Sequence, residues 1–231
     1  MTKIYYGCDH VPRGWGRYFA LCNAVELKLS GYEKRPTTET LNRWRVDSPK
    51  GFAFVLHVDE AVSGGLVRLG DANKSELDDR VRKGWQSTLE SAHALAARAI
   101  YLKTPLSFSP NPSNRALISA FAKELANTQK AVVIWESEGM WPVEDTRDFA
   151  ESLGMAYAID PFVAERDAIA MTHGDACFVL TERAGLRREF DAYDIELLQE
   201  WSQSYNRVFM LLRGRFQWKH ARELHDALAN H

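Results

Sequence analysis

Cysteine is scarce in this sequence. There are three in 231 residues, Cys8, Cys22 and Cys177, widely spaced and with no CxxC pair. That pattern argues against a disulfide framework or a structural zinc site, and reduced thiols in a cytoplasm are expected. Long apolar runs are also missing. None approaches the roughly 20 residues that a bilayer-crossing helix needs. The opening, Met1-Thr2-Lys3-Ile4-Tyr5-Tyr6, has neither the basic start nor the apolar core of a secretion leader. A soluble, cytoplasmic protein with no membrane partner is the expectation. Neither charge sign dominates: 29 Lys and Arg stand against 31 Asp and Glu, a net charge of -2. No global basic field therefore draws the chain to nucleic acid or anionic lipid. GxGxxG, Walker A, HExxH and GxSxG are absent as well, so no common nucleotide, zinc-protease or serine-hydrolase signature is present.

What is there is a regular alternation of apolar strands and amphipathic helices. With 45% hydrophobic residues the chain can fill a large core. Strands are expected at Lys3–Cys8, Asn23–Leu29, Gly51–Val58, Ile100–Lys103, Ala131–Glu136, Met155–Asp160, Ala176–Thr181 and Arg207–Leu212. Helical spacing falls at Arg17–Cys22, after Thr37-Thr38-Glu39-Thr40, and at Ser75–Ala99, Ala116–Asn127, Val143–Leu153, Asp191–Tyr205 and Trp218–Ala229. Asp59–Lys74 is read as a long Gly-rich connection. Pro161–Ala170 is ambiguous, with room for a short helix. Eight strands, most of them followed by a helix, predict an α/β fold: a single-domain (β/α)8 TIM-type barrel over residues 1–231. A doubly wound open sheet is the structural rival.

Strand after strand ends in an ionisable side chain, and in such folds ligands gather at the carboxyl ends of strands. Glu26 closes the second strand. Strand parity sets Val25, Leu27 and Leu29 on one face and Ala24, Glu26 and Lys28 on the other, so Glu26 points inward, with Lys28 or Lys103 as its expected partner. His57 is a candidate general base or metal ligand, or a satisfied core histidine. Glu136 and Asp160 are candidates for an acid–base pair or for the carboxylates of a divalent-metal site. Helix capping is the bland alternative. Lys103 is placed to hold an anion, or else to pair with Glu26 or Glu136, and Arg213 to clamp an anion, or else to stand in a solvated turn. Asp9, with His10, follows the first strand. Trp15 and Trp141 sit in loops, either stacking on a sugar or base or lidding the core. A two-histidine metal site would need His10, His57 or His173 to converge.

The order of residues also resembles a known family. Tyr5-Tyr6-Gly7-Cys8, Trp15, Tyr18, Asn23-Ala24-Val25-Glu26, Tyr32, Pro36, Arg43-Trp44, Pro49 and Gly51-Phe52-Ala53-Phe54 are similar to the opening of the DUF72 (YecE-like) family. Tyr101 to Phe108, Trp135-Glu136 and Ala158-Ile159-Asp160 follow in the family's order. The resemblance implies a TIM-type barrel and no defined activity. The chain departs from the family pattern at His57 (family Lys), at Lys103 (family Gln), at Trp135-Glu136-Ser137-Glu138, around Thr181-Glu182-Arg183 and at Arg213-Gly214.

Two functions are expected in competition. One is an enzyme, hydrolase or isomerase in type, whose Glu26, His57, Glu136 and Asp160 do acid–base or metal chemistry on a small anionic or polyhydroxylated ligand such as a sugar phosphate. Lys103 and Arg213 hold its charge. The other is a nucleic-acid-binding barrel, with Trp15 and Trp141 stacking on bases and Arg13, Arg17, Arg183, Arg187, Arg188, Arg213 and Arg215 tracking phosphates. A non-catalytic binding protein with a degenerate site is a third, weaker alternative.

Overall fold

The computed structural model describes residues 2–9, 14–124, 131–164, 174–181 and 189–229. Eight strands are present: β1 (Lys3–Cys8), β2 (Ala24–Leu27), β3 (Ala53–His57), β4 (Ala99–Thr104), β5 (Val132–Ser137), β6 (Ala156–Ile159), β7 (Asp175–Leu180) and β8 (Arg207–Leu212). The helices among the described residues are α1 (Trp15–Phe19), α2 (Thr38–Asp47), α3 (Glu60–Asp71), α4 (Asp79–Leu95), α5 (Pro112–Ala122), α6 (Val143–Ser152), α7 (Ala192–Ser202) and α8 (Gln217–Ala229). A 3-10 turn at Leu29–Gly31 cuts the second strand shorter than expected. The strand order is β1-β8-β7-β6-β5-β4-β3-β2, with parallel ladders. The fold is an α/β (β/α)8 barrel of TIM type. No described helix is long and apolar enough to cross a membrane.

The chain groups into two compact units. One is Met1–Glu26, Ser48–Ala53 and Ala158–His231; the other is Leu27–Asp47 and Phe54–Tyr157. In the first, β8 lies between β1 and β7 in register, with Tyr5 opposite Phe209 and their rings stacked at 5.2 Å. β1 and β2 are stitched by side chains. The Asn23 carboxamide accepts from the Tyr6 N–H at 2.7 Å and donates to the Ile4 carbonyl at 2.9 Å. The Tyr18 hydroxyl accepts from the Cys8 N–H at 2.8 Å and donates to the Ala24 carbonyl at 2.7 Å. This close approach leaves no room at Gly7, where a Cβ would overlap the Ala24 carbonyl and stand 2.8 Å from the Tyr18 hydroxyl. Gly7→Ala is therefore expected to cost about 1–3 kcal/mol, the range for overpacking against atoms that cannot step aside. A urea midpoint matching wild type would show that the seam opens freely.

In the second unit, β4 is paired in register with β5 from Ala99 opposite Val132 to Thr104 opposite Ser137. Here the structure overturns one expectation. Most of the Gly-rich stretch Asp59–Lys74 is helix α3, capped by the Asp59 carboxylate accepting from the Ala61 N–H. Two of its glycines serve packing: a Cβ at Gly65 would overlap Val81 of α4, and one at Gly70 would overlap the Asn114 carboxamide of α5. Val62, Leu66 and Leu69 are buried on the same helix. These three recur at helical spacing, against glycine's poor helix propensity. α5 likewise begins earlier than expected, because Asn111 caps it by accepting from the Asn114 N–H and Pro112 fills the first turn.

Candidate functional site

Glu26 is buried at the carboxyl half of β2, as strand parity requires, with a side chain 4% exposed. Its partner is Arg213, just past the end of β8. The Arg213 Nε donates to Oε2 at 3.0 Å and Nη2 to Oε1 at 2.6 Å, a bidentate pair. The expected partners are engaged elsewhere. Lys28 is largely exposed and lies 3.7 Å from Glu60. Lys103 lies 3.3 Å from Glu136 and 2.7 Å from Glu138. Arg213 and Lys103 thus pair with the protein's own carboxylates. In the same unit as Arg213, Asp160 follows β6 and organises a turn. Its Oδ1 accepts from the Phe162 N–H at 3.1 Å and its Oδ2 from the Thr181 hydroxyl at 3.0 Å. Both carboxylate oxygens of Asp160 are thus engaged within the protein.

The second unit assembles three of the expected residues on adjacent strand ends. The register sets His57 of β3 opposite Tyr101 of β4, and Lys103 of β4 opposite Glu136 of β5. Tyr101 and Lys103 are two apart and so share a face. The His57 ring lies 4.9 Å from the Tyr101 ring, and the buried Tyr101 hydroxyl donates to Glu136 Oε2 at 2.8 Å. Tyr157 of β6 completes the surroundings of the carboxylate. Burial first, and then the Glu136 charge, push its phenol up to about 12. Tyr101 and Tyr157 were not singled out from the sequence. The alternation of aromatic and ionisable residues in Tyr101-Leu102-Lys103 was the available signal.

His57 also lines a cavity of about 130 Å³ beside the carboxyl end of β3, with Leu29, Ser30, Arg35, Asp59, Thr88 and Ser91 among its walls. The walls are held by internal bonds. Arg35 Nη1 donates to Asp59 Oδ2 at 2.5 Å and Nη2 to the Ser87 hydroxyl at 2.9 Å, and the Asp59 N–H donates to the Thr88 hydroxyl at 2.9 Å. Serine hydroxyls, an imidazole and the Arg35–Asp59 ion pair can bond a ligand's hydroxyls, and Glu60 adds a carboxylate to the wall.

Both loop tryptophans pack on neighbouring rings. Trp141 is 5% exposed, its indole N–H donates to the Phe108 carbonyl at 2.5 Å, and its ring packs edge-on to Trp135 at 4.9 Å. It lids the core and presents no face to a base. The reason is local: Gly139 lets the loop close against the Phe108 carbonyl, where a Cβ would stand 2.6 Å away. Trp15 is half-buried and stacks on Phe19 at 5.3 Å. Asp9 is exposed at the end of β1. Among the described residues no group of three or more His, Cys, Asp or Glu is placed to hold a metal ion. Glu136 and Asp160 are each engaged by the neighbours named above. His10, Arg13, Glu182, Arg183, Arg187, Arg188 and His173, and the part of Pro161–Ala170 beyond Ala164, lie outside the described residues.

A family model described as "Protein of unknown function DUF72" matches residues 10–226. A DUF72 family protein of Enterococcus faecalis is similar in structure, with a TM-score of 0.70 at 16% identity over 99% of this chain and 98% of that one. One from Thermotoga maritima has a TM-score of 0.73 at 13% identity, over 99% and 100%. A xylose isomerase domain containing protein of Salmonella typhimurium has a TM-score of 0.57 at 15% identity, over 92% and 89%. At these identities the likeness is one of fold. No curated protein matches the sequence.

Proposed function

The chain belongs to the DUF72 family, and from that premise we propose that it is an enzyme acting on a small, uncharged polyhydroxylated molecule at the carboxyl ends of β3, β4 and β5. The observation that carries this reading is the cavity walled by His57, Ser30, Thr88, Ser91 and the Arg35–Asp59 pair. His57 is its proton carrier. Glu136, held by the Tyr101 hydroxyl and by Lys103, is the neighbouring carboxylate.

Charge favours the polyhydroxylated over the anionic half of the ligand class expected from the sequence. Around this site the cations Lys28, Arg35 and Lys103 face four carboxylates, Asp59, Glu60, Glu136 and Glu138. A phosphate or carboxylate ligand would have to displace one of these and would meet the others as like charges. A sugar or polyol meets neither penalty, and its hydroxyls match the hydroxyl-rich walls. Ligand titration by calorimetry tests this, using neutral aldoses and polyols beside their phosphate esters. A neutral compound is expected to bind, and His57→Ala to weaken it about 3- to 10-fold, the worth of one hydrogen bond. Binding confined to the phosphate esters, or an affinity untouched by His57→Ala, would sink the proposal.

A further inference from the structure

We infer that the crevice at the amino-terminal ends of β1 and β8 is a binding site for an uncharged nucleobase or nucleoside. Its volume is about 680 Å³, and all of its walls belong to the first compact unit. That volume lies within the range of roughly 300–1,000 Å³ that small-molecule sites occupy. Thr2 and Ile4 stand at the start of β1, and Asn206 immediately precedes β8. Gln199 lies in the last turn of α7, Gln203 caps that helix, and Leu228 lies in the last turn of α8. Among the described residues no Lys, Arg, His, Asp or Glu lines the crevice. None of its walls is shared with the His57 cavity.

The walls offer three carboxamides that bond to nothing. The main chain around them is satisfied. The Lys3 N–H donates to the Asn206 carbonyl at 3.0 Å, and the Asn206 N–H to the Gly174 carbonyl at 2.7 Å. The Ser202 hydroxyl donates to the Leu198 carbonyl at 2.6 Å, and the Thr2 hydroxyl to the Gln203 carbonyl at 3.5 Å. The side-chain amides of Gln199, Gln203 and Asn206 have no partner among the described residues. Each sets an N–H donor beside an acceptor oxygen in one plane. The complementary ligand edge is an acceptor beside a donor, also in one plane. Nucleobases carry that edge, and Asn and Gln pair with adenine through it by two parallel bonds. Ile4 and Leu228 supply apolar contact for a flat ring. The local field then selects by charge. Both α7 and α8 end here, and the carbonyls of a helix's last turn carry partial negative charge. No lining cation offsets it, so a phosphate is disfavoured and the ligand is the base or nucleoside rather than the nucleotide.

The test titrates the full-length, isotope-labelled protein with adenine, adenosine, AMP and glucose, following side-chain amide signals by NMR. Adenine and adenosine at millimolar concentration are expected to move the signals of Gln199, Gln203 and Asn206. That map needs no variant. Gln199→Ala and Gln203→Ala should each weaken adenosine binding about 3- to 10-fold, the worth of one hydrogen bond. Their urea midpoints should match wild type, because neither amide bonds to the protein, so lost affinity reads as lost ligand contact. AMP should bind more weakly than adenosine. No movement with adenine or adenosine, movement with glucose alone, AMP binding more tightly than adenosine, or an affinity untouched in both variants would each overturn the inference.

Discussion

Glu26→Ala is expected to destabilise the protein by about 3–5 kcal/mol, the usual cost of stripping one partner from a buried ion pair. For a chain of this size that corresponds to a fall in Tm of roughly 6–20 °C. The cause is what remains behind. Arg213, whose side chain is 15% exposed, would keep its charge beside an emptied carboxylate site. The intact pair adds much less net stability than this figure suggests, because desolvating two charges offsets most of their attraction. A double replacement follows from the same argument. Glu26→Leu with Arg213→Met should recover most of the loss, since neither charge is then stranded. Urea unfolding of the two single variants and the double variant checks this as a mutant cycle. Additive losses would show that the pair is not the controlling contact.

Alkaline pH should unfold the protein through its tyrosines. The Tyr6 phenol is pushed up to about 12 by burial first, then by Cys22 and Asp226. Tyr157 is raised to about 12 by burial and by Glu136, and burial holds Tyr18 well above its ordinary value of 10.0. Each of these groups keeps its proton longer in the folded chain than in the unfolded one. The folded state then binds more protons, so stability falls as pH rises. The contribution is complete below pH 10, the unfolded tyrosine value, and is lost between about 10 and 12. Tyr6, only 5% exposed, contributes up to about 1.4 kcal/mol per pH unit in that window. Tyr157 and Tyr18 act in the same direction. Urea midpoints from pH 9 upward, read beside phenolate absorbance, measure the slope. Tyr6→Phe should flatten it. Phenolate absorbance growing without loss of stability would contradict the account.

How far the sequence spoke depends on whether the cause was local. β1 and β8 have the bounds that their apolar runs predicted, because a short buried strand is marked by its own residues and its flanking turns. α3 departs from the expected connection because three glycines in one stretch read as loop, and the reason for Gly65 and Gly70 lies in Val81 and Asn114 on other helices. The inward direction of Glu26 followed from strand parity. Its partner lies 187 residues away, and no local pattern pointed to it. For Trp141 the sequence left stacking and lidding open, and the indole bond to Phe108 decided for lidding.

The sequence by itself determined the alternation of eight strands with helices, and that ionisable residues stand at the strand ends. Side-chain period and flanking turns are properties of a few consecutive residues. Only the tertiary structure decided which of those residues meet. It set His57 beside Tyr101, Glu136 against Lys103 and Tyr101, and Arg213 on Glu26. The physical reason is register. Where two strands pair fixes which side chains are neighbours, and that alignment is set by packing of segments far apart in the chain.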